Sequence, residues 1–190
     1  QMCIRDSYYQ LPGKSLEICC MHLDKGQMWI GTTTDGAYRL QLDKNELTHP
    51  ILKGNITSIY QDSEGGLWIG SWEEGLHHVK TDGTIEIFEY DAKNPYSISS
   101  NFVRACCEDN LGNIWIGTFN GLNRYDKSTG LFQNHTASDA QSDGLTHSSI
   151  WCIVKDNQGT LWLGTYFGGV NYFNPEYEIY SRYMYSVSYT

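Results

Sequence analysis

Proline is scarce, with four in 190 residues, and no apolar run approaches the roughly 20 residues that cross a bilayer as a helix. A membrane-spanning helix is therefore not expected within this stretch. The opening residues lack a signal-peptide pattern, so any export signal or anchor is expected outside it. Basic residues are outnumbered: 13 Lys and Arg stand against 22 Asp and Glu, a net charge of −9. They form no stripe, which argues against a nucleic-acid interface built on phosphate contacts. No two cysteines have CxxC spacing, and no Cys/His group has the spacing of zinc ligands. A phosphate-cradling loop, a nucleophile elbow and a metal triad are all missing, so no cofactor and no metal are expected.

What is plentiful is glycine (19), tyrosine (14) and tryptophan (6), a mixture that favours strands and tight turns over helices. These residues fall into register four times. An apolar run ends in Asp24, Asp62, Asp109 or Asp156. A short turn leads to Trp29-Ile-Gly31, Trp68-Ile-Gly70, Trp115-Ile-Gly117 or Trp162-Leu-Gly164. A glycine follows at 36, 75, 121 or 169, and then a further strand. The tryptophans lie 39, 47 and 47 residues apart, the length of a propeller blade built from several short strands. Leucine-rich spacing and the helical 3.6-residue period are both lacking.

The expected fold is all-β. It is a β-propeller fragment of four blades with four antiparallel strands each, forming an open arc of a larger propeller of about seven blades. The blades are placed at 16–54, 55–96, 97–143 and 144–190, and residues 8–15 are read as the end of a preceding blade, with a strand at Tyr8 to Leu11. Residues 1–7 resemble the translation of a transposon end used in sequencing libraries and are read as non-native. The first turn is one residue short, so it must be tighter. The fourth strand of that unit, near Leu47 to Leu52, is interrupted by Pro50. Strand four of the last blade is expected from the chain's own tail, Glu178 to Tyr185. First and last blades are expected to expose sheet faces.

A bulky indole in every unit is expected to pack blade against blade, since a ligand site rarely recurs four times. The repeating aspartates are assigned to local turn hydrogen bonds, because one carboxylate per turn offers too few oxygens for calcium. Cys19, Cys20, Cys106, Cys107 and Cys152 occupy equivalent apolar strands and are read as small buried hydrophobes. A disulfide between neighbouring blades, such as Cys106 to Cys152, is the alternative.

The run Asp109-x-x-Gly-Asn-Ile-Trp-Ile-Gly-Thr118, followed by Gly121-Leu-Asn-Arg-Tyr125, resembles the two-component regulator propeller repeat. So do the connections Asn94-Pro-Tyr-Ser97-Ile-Ser-Ser-Asn101 and Gly144-Leu-Thr-His-Ser-Ser-Ile150. The resemblance covers about residues 16–174. It implies a periplasmic, ligand-sensing part of a membrane-anchored hybrid two-component sensor of a glycan-degrading gut bacterium. It further implies phosphorelay signalling through a kinase outside this stretch, and no catalysis here. The implied partners are an oligosaccharide, the remaining blades, the downstream domains and a second copy of the parent protein. No nucleic acid and no membrane contact are implied.

The strand two-to-three loops vary while the scaffold repeats, and they are expected on one rim. They supply Asp35, Trp72, Glu73, Glu74, Phe119, Asn120, Tyr166 and Phe167, the mixture of flat apolar faces and polar groups that saccharides need. Covering the blade tops is the alternative role of these aromatics. Asn101 and His147 on the inter-blade connections are weaker candidates. The rival reading is a catalytic propeller, such as a polysaccharide or lactone lyase, with Glu73, Glu74, His77 and His78 as its foothold. The five arginines, Arg5, Arg39, Arg104, Arg124 and Arg182, show no convergence in sequence.

Overall fold

Turn chemistry sets the architecture. In three units the aspartate ending the first strand folds its carboxylate back onto the turn. Asp62 Oδ1 accepts from the amides of Glu64 and Gly66, Asp109 Oδ1 from Leu111 and Asn113, and Asp156 Oδ1 from Gln158 and Thr160, all at 2.8–3.1 Å. The first unit, one residue shorter, turns on Lys25 and Gly26 alone. Both have positive φ, 41° and 82°. That pairing is the type I′ hairpin, whose twist matches the flanking strands.

The computed structural model describes residues 17–44, 46–48, 51–137, 144–177 and 179–183, the side chains of 179 and 180 excepted. The expected non-native segment 1–7 and the strand at Tyr8 to Leu11 lie outside them. The described residues form four sheets and no helix. Blade one comprises β1 (Ile18–Asp24), β2 (Gln27–Thr32), β3 (Ala37–Gln41) and β4 (Glu46–Leu47). Blade two comprises β5 (Ile56–Gln61), β6 (Leu67–Ser71), β7 (Leu76–Val79) and β8 (Ile85–Phe88). Blade three has β9 (Val103–Glu108), β10 (Ile114–Thr118), β11 (Gly121–Asp126) and β12 (Leu131–His135). Blade four has β13 (Ile150–Lys155), β14 (Leu161–Thr165), β15 (Val170–Asn174) and β16 (Ile179–Tyr183). Each sheet is an antiparallel meander in chain order. The first strands β1, β5, β9 and β13 contact one another in sequence, so they line the inner side of an open arc.

Strand alternation gives every blade two unlike faces. One carries the indole and packs against the aliphatic face of the next blade. Trp29 meets Ile59, Leu67 and Ile69; Trp68 meets Cys106, Ile114 and Ile116; Trp115 meets Leu161, Leu163 and Phe173. Two residues after each indole stands a glycine, and its lack of a side chain is required by the neighbour. A Cβ at Gly31, Gly70 or Gly117 would sit 2.6–2.8 Å from Ile56, Val103 or Ile150, the residue that opens the next blade. The repeating aspartate also does more than close its turn. Asp62, Asp109 and Asp156 accept the indole N–H of the tryptophan six residues on, at 2.9, 2.8 and 2.8 Å. Turn and blade interface are thus fastened by one carboxylate.

That bond has a pH signature. Hydrogen bonding from Trp162, opposed by burial and aided by the turn amides, holds the Asp156 carboxyl below its usual range. A folded-state value below the unfolded one contributes stability at neutral pH and loses it as pH falls through the carboxylate range, about 4 and below. Urea midpoints of wild type and Asp156→Asn should therefore differ by a constant amount above about pH 5 and converge at lower pH.

Two expectations need correction. Blade one's fourth strand is only two residues, Glu46–Leu47, rather than running to Leu52. Further on, Thr48 donates to the Arg39 carbonyl and Ile51 to that of Ala37, with a single bridge at Ala37–Leu52. His49 and Pro50 lie outside the described residues. The cysteines are also not uniformly buried. Cys106 and Cys107 are, but Cys20 is half-buried and Cys19 and Cys152 are exposed. The causes differ: Cys19 is the residue skipped in the register between Ile18 and Cys20, whereas Cys152 shares the outward face of blade four with Trp162. All five described thiols are free, and Cys106 faces blade two, so a Cys106–Cys152 bridge is excluded. Both end faces are open, as expected: Met21 and Leu23 are about 60% exposed on blade one, and Val154 and Tyr183 similarly on blade four.

Candidate functional site

The loops of interest are held at the inner end of each blade by a recurring backbone bond. The first residue of each strand two-to-three loop donates its amide to the residue just before its own blade's first strand. Thr33 bonds to Glu17, Trp72 to Asn55, Phe119 to Phe102 and Tyr166 to Ser149, each at 3.0 Å. The hydroxyl at the end of the second strand (Thr32, Ser71, Thr118 or Thr165) donates across the same loop to the carbonyl of Gly36, Gly75, Gly121 or Gly169, at 2.9–3.0 Å. Variable side chains are thereby presented from a fixed frame.

Beside them each first strand carries a bulge. The register skips one residue between Ile18 and Cys20, Ile56 and Ser58, Val103 and Ala105, and Ile150 and Cys152. The residues left unpaired are Cys19, Thr57, Arg104 and Trp151. A bulge re-aims its side chain out of the pleat. In the first two blades this side chain bonds across to the next blade: Cys19 to the Ile56 carbonyl, and Thr57 Oγ1 to the Val103 carbonyl at 2.6 Å. In blades three and four the same position holds a guanidinium and an indole.

Those two side chains organise an aromatic column. Arg104 lies between Trp72 of blade two and Trp151 of blade four, its guanidinium carbon 4.2 Å from each ring centroid. Trp151 stacks against Tyr166 at 5.7 Å, and Tyr166 meets Phe167 edge-on at 4.3 Å. On the other side Trp72 meets Phe102 at 5.7 Å, and Phe102 meets Phe119 at 6.1 Å. Phe119, Trp151, Tyr166 and Phe167 are all exposed, Phe167 by 81%.

Of the residues singled out in the sequence, Trp72, Phe119, Tyr166 and Phe167 are brought together here. Glu73 and Glu74 line a recess of about 200 Å³ with Asn55, Ser71 and Trp72. Asn120 is exposed beside Phe119. His147 accepts the Ser149 amide on its Nδ1 at 3.0 Å and meets Phe167 edge-on. Two candidates have other work. The Asp35 carboxylate accepts from the Tyr38 hydroxyl of its own blade. Asn101 fastens the blade two-to-three connection, accepting from the Tyr90 amide on its side chain and from the Gly75 amide on its backbone. Arg104, Trp151 and Phe102 were missed. Aligning the bulge position across units, where a thiol, a hydroxyl, a guanidinium and an indole succeed one another, would have found the first two.

The foothold for a catalytic reading does not assemble. His77 is buried toward blade one, while His78 stacks on Trp68 at 3.9 Å toward blade three. Burial lowers the pKa of both. His78 faces a separate recess of about 380 Å³ with Asp62, Lys80, Glu86, Tyr125 and Lys127. Its charges are spent on one another: Lys80 pairs with Glu86 at 2.6 Å, and Lys127 reaches Asp62, Glu64 and Glu108 at 3.2–3.6 Å. Among the described residues no three His, Cys, Asp or Glu side chains are placed to hold a metal.

Four wedge-packed meanders around a common inner strand set, with a rim of variable loops, define an open β-propeller arc. Residues 50–73, 97–120 and 144–167 match the family model of the two component regulator propeller, so these three segments carry its repeat. The first unit, with its shortened turn, lies outside the matched segments. A search of the curated proteins returned no match. Among solved structures, the fold is similar to the extracellular domain of a protein described as the hybrid two component system BT3049 of B. thetaiotaomicron. The TM-score is 0.73 at 18% identity, over 88% of this chain and 24% of that one. The corresponding domain of BT4673 from the same organism gives 0.54 at 22% identity, over 95% and 29%. The WD40 β-propeller domain of Doa1 gives 0.61 at 16% identity, over 87% and 51%. The chain thus spans about a quarter of the length of the first two.

Proposed function

We propose that this chain is the ligand-sensing part of an extracytoplasmic propeller in a membrane-anchored hybrid two-component protein, and that it recognises an oligosaccharide at the inner rim. A kinase elsewhere in the parent polypeptide receives the signal. The observation that carries the reading is the aromatic column. Large rings are exposed at equivalent loop positions of blades two, three and four, on a frame that otherwise repeats. Rings left open to water form platforms for the apolar faces of sugars, and Glu73, Glu74 and Asn120 offer partners for hydroxyls.

The test is calorimetric titration of the complete ectodomain with a panel of oligosaccharides. At least one is expected to bind, and Trp151→Ala should weaken it about 10- to 30-fold, the effect of removing an aromatic anchor worth ~1.4–2 kcal/mol. Because Trp151 is half exposed, the melting temperature should change little. Silence across the panel would remove the reading.

A further inference from the structure

Arg104 is held in an unusual electrostatic position. Its two flat faces are covered by the indoles of Trp72 and Trp151. Its Nε is shut off from solvent and makes no hydrogen bond, and among the described residues no carboxylate forms an ion pair with it. Burial lowers its pKa. A chain with 22 acidic side chains has thus placed a guanidinium where none of the described ones reaches it. The corresponding residues Cys19 and Thr57 close onto the next blade's carbonyl, whereas no such bond is made by Arg104. The blade three-to-four junction has given up a structural bond, and in its place stands a cation stacked between two indoles. A planar guanidinium with covered faces suits bidentate pairing with a carboxylate or a sulfate ester through its two terminal nitrogens, Nη1 and Nη2.

We infer that the saccharide read at this rim is acidic, and that its carboxylate or sulfate pairs with the edge of Arg104 between Trp72 and Trp151. The inference rests on the proposed saccharide site and narrows its ligand class. Sugar rings flanking the anionic group would lie on Tyr166, Phe167 and Phe119, which remain exposed around the guanidinium.

The experiment titrates the complete ectodomain with three probes: an oligogalacturonide, a galactan oligosaccharide that carries sulfate esters and no carboxylate, and an uncharged xylo-oligosaccharide. Binding of the first or second, and not the third, is expected, and which one binds separates carboxylate from sulfate. Arg104→Gln should weaken that binding at least about tenfold, and Arg104→Lys, which keeps the charge but not the fork, should fall between. Circular dichroism of both variants checks that the blades persist; should Arg104→Gln unfold, Arg104→Lys carries the test alone. Binding of the uncharged probe with equal affinity in wild type and Arg104→Lys would overturn the inference and leave the saccharide site standing. Failure of all three probes would overturn the inference, and the saccharide site falls with it only if the wider panel is silent too.

Discussion

Trp115→Ala will lower the unfolding free energy by about 3–5 kcal/mol, the range for deleting a fully buried aromatic. The indole is 1% exposed and fills the wedge between blades three and four, with Phe173 5.1 Å and His135 5.7 Å away. Both sheets are braced by their own hydrogen-bond ladders, so they cannot collapse into the space left behind. Natural domains hold only about 5–15 kcal/mol in reserve, so this one change takes roughly a fifth of it or more. The same substitution at Trp162 is the control. That indole keeps its bond to Asp156 and stacks near Tyr172 and Tyr183, yet it lies on the open face of blade four and is only half-buried. Its loss should cost about half as much or less. Urea unfolding followed by circular dichroism would measure both. Equal effects would mean that the indole serves its own sheet and not the junction between blades.

That contrast also marks how far sequence reasoning reached. Periodic constraints were legible because the same physical demand recurs: a large flat side chain for the wedge, a glycine beneath the next blade's opening residue, a carboxylate at the turn. The shortened first turn was legible too, since losing one residue between Asp24 and Trp29 leaves only a two-residue hairpin. Other features depend on relations between units that no single strand displays. The aspartate–indole bond joins residues six apart, which meet only once the hairpin has closed. Arg104 and Trp151 look like ordinary strand residues until the bulge turns them out of the pleat and toward Trp72, a residue from a third blade. Cysteine burial failed for a similar reason. Position in a strand fixes which face a thiol occupies, but the neighbouring blade decides whether that face is covered. Asp35 was read as a rim group because it sits in the right loop, and the Tyr38 hydroxyl behind it could not be placed from spacing alone.

Asp109→Ala is expected to be nearly as damaging as loss of the tryptophan it holds, at about 3 kcal/mol. The carboxylate is 3% exposed and accepts four hydrogen bonds. Two come from the turn amides of Leu111 and Asn113, one from the Asn113 side chain and one from the Trp115 indole. Alanine leaves the amides and the Asn113 side chain within reach of water, since that turn is part-buried. The indole N–H, sealed between sheets, has no such recourse, and an unpaired buried donor costs roughly 1–3 kcal/mol by itself. The remainder comes from the turn, which loses the acceptor that fixed its shape. Asp109→Asn should fall between, because the amide oxygen can serve the backbone donors while its NH2 group faces the indole N–H without accepting from it. Asp24 supplies the comparison within the same molecule. Its turn closes through Lys25 and Gly26, and no hydrogen bond to its carboxylate is formed among the described residues, so Asp24→Ala should stay within about 1 kcal/mol of wild type. If both aspartates proved equally dispensable, the carboxylates would be turn formers only, and the fastening of blade to blade would rest on packing alone.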